Sequence, residues 1–151
     1  MHKKTTLTYS IVINAKAETV FDYLTDWPKQ SEWILFTDVT MTSTPPNKLG
    51  TRLVARTHIG PVGFTDTMVI TEWSPPFDCT VEHTGKIVKG IGVFSVEKIT
   101  ESKSKFIWNE VNPVPFGAMG GIGLRIIQPF LGLLFNRSLK KMRDNIEQSQ
   151  K

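Results

Sequence analysis

The sequence predicts an α+β fold in which a curved antiparallel sheet of six to seven strands wraps around a long C-terminal helix. Three observations support this prediction. The chain opens with a short alternating strand that runs into helical sequence, its middle is strand-like throughout, and one long amphipathic segment closes it. A sheet that curls around a helix leaves an apolar hollow between the two. We therefore expect the protein to act inside that hollow.

The N-terminal elements are a strand and two short helices. Apolar and polar residues alternate over 6–13, as in a strand with one buried face. A helix with a narrow apolar face follows Lys16 and ends at Trp27, because Pro28 comes next and a residue before proline avoids the helical conformation. A second short helical segment leads to Trp33. We expect Trp27 and Trp33 to pack these helices against the sheet.

Turn-forming residues divide the middle of the chain into strands. Prolines, glycines and serines recur at short intervals between runs rich in Val, Ile, Thr, Phe and Trp, which is typical of antiparallel strands joined by tight turns. The Gly60-Pro61 dipeptide predicts a hairpin between two of them. The predicted strands of this region cover 35–42, 50–59, 62–73, 78–84, 89–99 and 104–112.

The C-terminal segment predicts the long helix. We expect it to begin between Gly120 and Ile122, to carry a wide apolar stripe that faces the sheet, and to bend at Pro129, where one backbone hydrogen bond is lost. Arg125 and several glycines interrupt its most apolar stretch, so stable insertion into a membrane is not expected. Because the sequence shows no internal repeat and no linker, residues 1–151 form one predicted domain.

Composition and charge narrow the classes of function. The net charge is +4, and residues 76–151 supply all of the excess. We expect a solvated helix face rather than a nucleic-acid interface, because no aromatic-plus-basic strand motif accompanies the charge. The single Cys79 favours a reducing compartment, and in the absence of a signal-peptide pattern we expect a cytoplasmic protein. The histidines and Cys79 share no metal-ligand spacing, and no phosphate or dinucleotide motif is present, so we expect neither a metal nor a cofactor.

Groups of residues spread over the whole chain resemble a known superfamily. They are Ile13-x-Ala15-x-x-x-x-Val20-Phe21-x-x-Leu24-x-Asp26-Trp27 with Trp33, Leu49-Gly50-Thr51-Arg52, Val69-x-x-Glu72-Trp73-x-Pro75-Pro76, Gly92-x-Phe94, Phe106-x-Trp108-x-Glu110 and Arg137-x-Leu139-x-x-Met142. On these residues the chain resembles the Bet v 1-like, START-related (SRPBCC) superfamily, and within it the bacterial polyketide cyclase/dehydrase branch. The resemblance implies a helix-grip fold. It leaves the activity open, because the superfamily contains lipid and sterol carriers, plant hormone receptors and aromatase/cyclases.

The two-residue period of strands sorts the candidate cavity residues by face. We assign to the concave face the sets that bring the large apolar groups together. Two glycines among them, Gly90 and Gly92, leave room there for a ligand or for the helix. The sets are Phe64, Asp66, Met68 and Ile70 on the fourth strand, Gly90, Gly92, Phe94 and Val96 on the sixth, and Phe106, Trp108 and Glu110 on the seventh.

Polar side chains on these faces are the candidates for chemistry. Asp66 and Glu110 would be acids on otherwise apolar faces, where either could move a proton in a cyclisation or dehydration; the alternative is a carboxylate at the rim or bonded to a neighbouring Arg or Thr. A single histidine such as His83 is more often a satisfied core residue than a ligand-binding one. By the resemblance, the segment around Phe116 falls where the family has a mobile gate. The predicted ligand-binding residues are Phe64, Met68, Ile70, His83, Gly92, Phe94, Phe106, Trp108, Glu110, Phe116, Ile126 and Phe130.

Three kinds of function remain open from the sequence. We favour a binding or carrier protein for a small hydrophobic molecule, such as a lipid or a polyketide, because apolar inward faces and space-making glycines suffice for it. The second is a cyclase/aromatase or dehydratase that folds a reactive polyketone in the same cavity, although the inner faces show no dense polar cluster to support it. The third is an interaction module that uses the basic C-terminal half. Bulky side chains could instead fill the hollow and leave a packed core.

Overall fold

The computed structural model describes residues 4–43, 48–113 and 117–151. In this part of the chain, seven strands form one antiparallel sheet in the order β1-β7-β6-β5-β4-β3-β2, and two α-helices and a short 3-10 helix accompany it. The elements are β1 (Lys4–Ile13), α1 (Ala17–Leu24), the 3-10 helix (Trp27–Glu32), β2 (Thr37–Met41), β3 (Arg52–Ile59), β4 (Val62–Ser74), β5 (Asp78–His83), β6 (Gly90–Thr100), β7 (Lys103–Pro113) and α2 (Gly117–Ser149). This is the helix-grip arrangement that the sequence predicted.

Short turns and one long-range pairing shape the sheet. The β3–β4 hairpin turns at Gly60-Pro61, as predicted, and Gly60 has the positive φ of 59° that glycine adopts without strain. The long-range pairing joins β1 to β7, from Lys4 opposite Pro113 to Ile13 opposite Ser104, so the first and the last strand of the chain lie side by side. The strands begin and end within two residues of the positions that periodicity and turn signals predicted.

Both predicted short helical elements are present, but α1 ends at Leu24, before the expected Trp27, which instead begins the 3-10 helix. Helix α1 buries Ala17, Val20, Phe21 and Leu24, the narrow apolar face seen in the sequence. Pro28 lies in the first turn of the 3-10 helix, where its missing N–H costs nothing.

The long helix differs from the prediction in where it begins and in what it buries. Helix α2 begins at Gly117, before the expected Gly120, and Pro129 lies inside it. Its C-terminal part is in the core through Leu139, Met142 and Ile146. Most of the side chains that the structure describes in its N-terminal half are instead exposed, so the expectation that the whole apolar stripe faces the sheet is wrong. The exposed apolar residues of this half are Ile122, Ile126, Ile127, Phe130, Leu133 and Leu134.

Two surface properties of the helices complete the description. The basic residues Arg137, Lys140 and Lys141 are exposed, as expected for a solvated helix face. Among the helices of the described residues, none combines the length and the apolar character that crossing a membrane requires.

Candidate functional site

A cavity of about 430 Å³ lies between the concave face of the sheet and α2. Its wall is mainly apolar, and the sheet, the 3-10 helix and α2 all contribute residues to it. The sheet contributes residues from its first to its seventh strand, from Leu7 on β1 to Trp108 on β7. Helix α2 contributes Leu131, Leu134, Phe135 and Ser138. A hollow between sheet and helix is therefore present.

Most of the predicted ligand-binding residues line this cavity, and four of the described ones do not. Ile70 and Phe106 lie on the predicted faces but are buried in the core, at 1% and 0% exposure. Ile126 and Phe130 lie outside the cavity wall and are exposed by 66% and 68%, because the inward side of α2 is the one that carries Leu131 and Phe135. Phe116 lies outside the described residues. The residues that line the cavity are Phe64, Met68, His83, Gly92, Phe94, Trp108 and Glu110, together with the candidate acid Asp66.

A polar cluster of Asp66, His83 and Glu110 interrupts the apolar wall. His83 Nδ1 lies 2.7 Å from Asp66 Oδ2, and His83 Nε2 lies 3.3 Å from Glu110 Oε2. The three side chains come from β4, β5 and β7, and they are only 10%, 7% and 13% exposed. The expectation that the inner faces carry no polar cluster is therefore wrong.

Gly92 makes this cluster possible. Strand β6 separates His83 on β5 from Glu110 on β7, and Gly92 lies directly opposite Glu110 in the sheet register. A Cβ atom at position 92 would lie 3.0 Å from Glu110 Oε1 and 3.3 Å from Val81 Cγ2, closer than side chains normally pack. The space left by this glycine therefore accommodates the Glu110 carboxylate. Gly92 also lines the cavity, so the expectation that it leaves room for a ligand stays a prediction.

Trp108 holds Glu110 from the other side. The indole Nε1–H donates a hydrogen bond of 2.7 Å to Glu110 Oε1, so each carboxylate oxygen has a donor. The indole ring lies edge-on to Phe94, Trp33 and Phe135, with ring centroids 5.2, 5.9 and 4.6 Å away. Such aromatic packing restricts the ring to one orientation, which in turn fixes the position of the carboxylate.

The two carboxylates keep His83 protonated. Burial by itself would lower the pKa of His83, because it disfavours the charged imidazolium. The hydrogen bonds to Asp66 and Glu110, and the charges of both groups, outweigh burial and raise the pKa to about 9. At neutral pH the imidazolium therefore donates one N–H to each carboxylate.

The cluster is not arranged as a metal site. The two ring nitrogens of His83 face different carboxylates, so the three side chains do not converge on one point. Within the described ranges, no group of three or more His, Cys, Asp or Glu side chains is placed to hold a metal ion.

Sequence reasoning missed the cluster because its members lie on three strands. Asp66 and Glu110 were assigned to the inward face and His83 was among the predicted ligand-binding residues, but only the register of β4, β5, β6 and β7 places the three side by side. The available signal was a glycine on the inner face of β6: Gly92, which pairs directly with Glu110 on β7.

The fold and the cavity define a helix-grip protein with a largely apolar internal chamber. Residues 4–147 match the family described as polyketide cyclase / dehydrase and lipid transport. The chain belongs to this family, which confirms the resemblance seen in the sequence. No protein of curated function matches the chain in sequence.

Solved structures of bacterial proteins share the fold. A protein of Thermus thermophilus superimposes with a TM-score of 0.79 at 11% identity, over 97% of this chain and 100% of that one. The Zhui aromatase/cyclase of Streptomyces sp. R1128 gives a TM-score of 0.80 at 10% identity, over 99% and 97% of the two chains. The Aha1 dimer of Colwellia psychrerythraea gives 0.65 at 14% identity, over 95% and 96%. Identities this low establish a common fold and nothing about activity.

Proposed function

We propose that the protein binds a small hydrophobic molecule, of the size of a lipid chain or a polyketide, in the cavity between the sheet and α2. The observation that carries this proposal is the cavity itself. Its volume of about 430 Å³ falls within the range of roughly 300–1,000 Å³ that is usual for small-molecule sites. Apolar side chains such as Phe64, Met68 and Leu131 form most of its wall, so an apolar guest would lose water-exposed surface on entry.

The volume also argues against a hollow filled by its own side chains. The large aromatic groups that could fill it are engaged elsewhere. Phe106 is fully buried in the core, and Trp108 packs edge-on against both Phe94 and Trp33. Phe94 also lies against Trp33, with the two rings tilted. Phe64 is 38% exposed. The bulky residues therefore form one wall of the chamber and leave its centre open.

A blocking substitution tests the proposal. Ala55 lines the cavity on β3, whereas Ile59 on the same strand is 68% exposed. In Ala55→Phe the new ring would occupy the cavity, and the Kd of the neutral fluorescent probe phenylnaphthylamine should rise by at least about tenfold. Ile59→Phe adds the same side chain outside and should leave the Kd unchanged.

Two controls make the result decisive. Urea unfolding of both variants shows that the fold persists, since overpacking a core costs about 1–3 kcal/mol. Native mass spectrometry of freshly purified protein, followed by denaturing extraction, reveals any molecule that co-purifies. Equal probe affinity in the parent and in folded Ala55→Phe would refute binding in the cavity.

A second candidate function rests on the polar cluster. Strongly perturbed titratable groups inside a cavity are typical of enzymes that move protons, and a cyclase/aromatase or dehydratase acting on a reactive polyketone would use such groups. Both N–H groups of His83 are engaged by carboxylates, so a carboxylate is the better candidate to exchange a proton with a substrate. Glu110 is the more exposed of the two, at 13% against 10% for Asp66. If the protein is such an enzyme, Glu110→Gln abolishes turnover of a polyketone and spares binding of phenylnaphthylamine. Unchanged turnover in that variant would remove Glu110 from any mechanism.

A further inference from the structure

We infer that the ligand carries a hydrogen-bond donor, a hydroxyl or a protonated amine, that it places against the Asp66–His83–Glu110 cluster, and that the cavity discriminates against carboxylates. This inference rests on the proposed function and adds the polarity of the ligand to it.

The donors of the cluster are already used within it. His83 directs Nδ1 at Asp66 and Nε2 at Glu110, at 2.7 and 3.3 Å. Trp108 donates its indole N–H to Glu110 at 2.7 Å. Each of these N–H groups makes one hydrogen bond. A ligand that brings an acceptor to the cluster would therefore have to displace one of its internal hydrogen bonds.

Acceptor capacity, in contrast, is left over. An ionised carboxylate offers about four lone-pair sites, and the interactions above occupy one on Asp66 and two on Glu110. Asp66 Oδ1 is buried without a hydrogen-bond partner, and so is Asn112 Oδ1, farther along the same face of β7. An unpaired buried acceptor costs free energy. A donor from the ligand that reaches a free lone pair on the accessible part of Asp66 or Glu110, whose side chains are 10% and 13% exposed, is therefore favoured.

The charged side chains of the cavity wall also favour a ligand with a hydrogen-bond donor over a carboxylate. The charged side chains among the described cavity-lining residues are Asp66, His83 and Glu110, and none is a lysine or arginine. With the imidazolium protonated, the cluster has two negative charges and one positive charge. A carboxylate guest would meet this negative excess without a cation to pair with, and burial of an unpaired charge is costly. An ammonium group would neutralise it.

A series of probes with one shared skeleton tests the inference. The probes are methylnaphthalene, naphthalenemethanol, naphthylmethylamine and naphthoate, with each Kd measured by titration calorimetry at pH 7. The alcohol and the amine should bind the parent protein at least about tenfold more tightly than methylnaphthalene, since hydrogen bonds to charged groups are the stronger kind. Naphthoate should bind most weakly.

Charge-removing variants localise the effect. Glu110→Gln and Asp66→Asn should each reduce the advantage of the amine over methylnaphthalene. The matched control is Asp38→Asn, which makes the same change at an exposed pair where His58 Nε2 lies 3.1 Å from Asp38 Oδ2. That control should keep the full preference.

The outcomes separate this inference from the proposed function. If methylnaphthalene binds as tightly as the alcohol and the amine, or if naphthoate binds most tightly, the inference is overturned and the cavity remains a binding site. If no probe in the series binds, both fail. Should the cluster variants not fold, the order of affinities in the parent protein decides the matter by itself.

Discussion

The stability of the protein should fall as the pH rises through the weakly alkaline range, because of His83. Its pKa is raised from the ordinary 6.5 to about 9 in the folded protein, so the folded state holds the proton more tightly than the unfolded chain does. Below pH 6.5 both states are protonated and the stabilisation is complete. Between 6.5 and about 9 the unfolded chain has released its proton while the folded protein retains it. Above about pH 9 the contribution is lost.

The size of the effect follows from the same values. A difference of one in pKa corresponds to about 1.4 kcal/mol, and a rise from 6.5 to about 9 therefore corresponds to about 3–4 kcal/mol at most. The cluster is well shielded from solvent, since the His83 side chain is 7% exposed, so screening by salt should remove little of this stabilisation. A change of this size is a large fraction of the stability of an ordinary domain.

The assay is urea unfolding at several pH values from 6 to 9. The upper limit matters because burial raises the pKa of Cys79 from 9.0 to about 12, which adds a further loss of stability at higher pH. His83→Gln removes the titrating group and should abolish most of the fall. His58→Gln removes an exposed histidine and should preserve it. A parent protein with the same pH dependence as His83→Gln would refute the account of the cluster.

Three further predictions follow from the geometry of the cavity wall. Trp108→Ala and Phe94→Ala should each weaken phenylnaphthylamine binding by at least about tenfold while circular dichroism shows a retained fold, and unchanged affinity in both would contradict the inward placement of these rings. Gly92→Ala should lower the free energy of unfolding in urea by about 1–3 kcal/mol, because its Cβ would lie 3.0 Å from Glu110 Oε1; a neutral effect would show that the space is not needed. Cys79 should react with iodoacetamide at pH 8 only after unfolding in urea, since burial raises the pKa of its thiol to about 12, and rapid labelling of the native protein would show that the residue is accessible.

Local rules were sufficient for the sheet. Strand positions depend on a two-residue period and on turn residues next to the strand, such as Gly60-Pro61, and both kinds of signal are contained in short stretches of sequence. The same period sorted Phe94, Trp108 and Glu110 onto the inward face, where the structure has them.

The long helix shows where such rules stop. An apolar stripe on a helix identifies residues that lie on the same side of the helix. It does not show how much of the length of the helix the sheet covers. Leu139 and Met142 meet the core, whereas Ile126 and Phe130 on the same helix face solvent. The wide apolar stripe of α2 has two sides, and only packing against the sheet selects between them. One side carries Ile122, Ile126, Phe130 and Leu134, and the other carries Leu131, Phe135, Leu139, Met142 and Ile146.

By itself, the sequence determined the α+β class, the order of the strands along the chain, and which strand side chains face inward, because each depends on residues that are neighbours in the chain. The tertiary structure alone decided that Asp66, His83 and Glu110 meet across three strands, with Gly92 making the necessary space. Contacts between strands depend on register, which is set by the pairing of the whole sheet. The presence of a polar cluster in the apolar cavity wall therefore follows only from the folded structure.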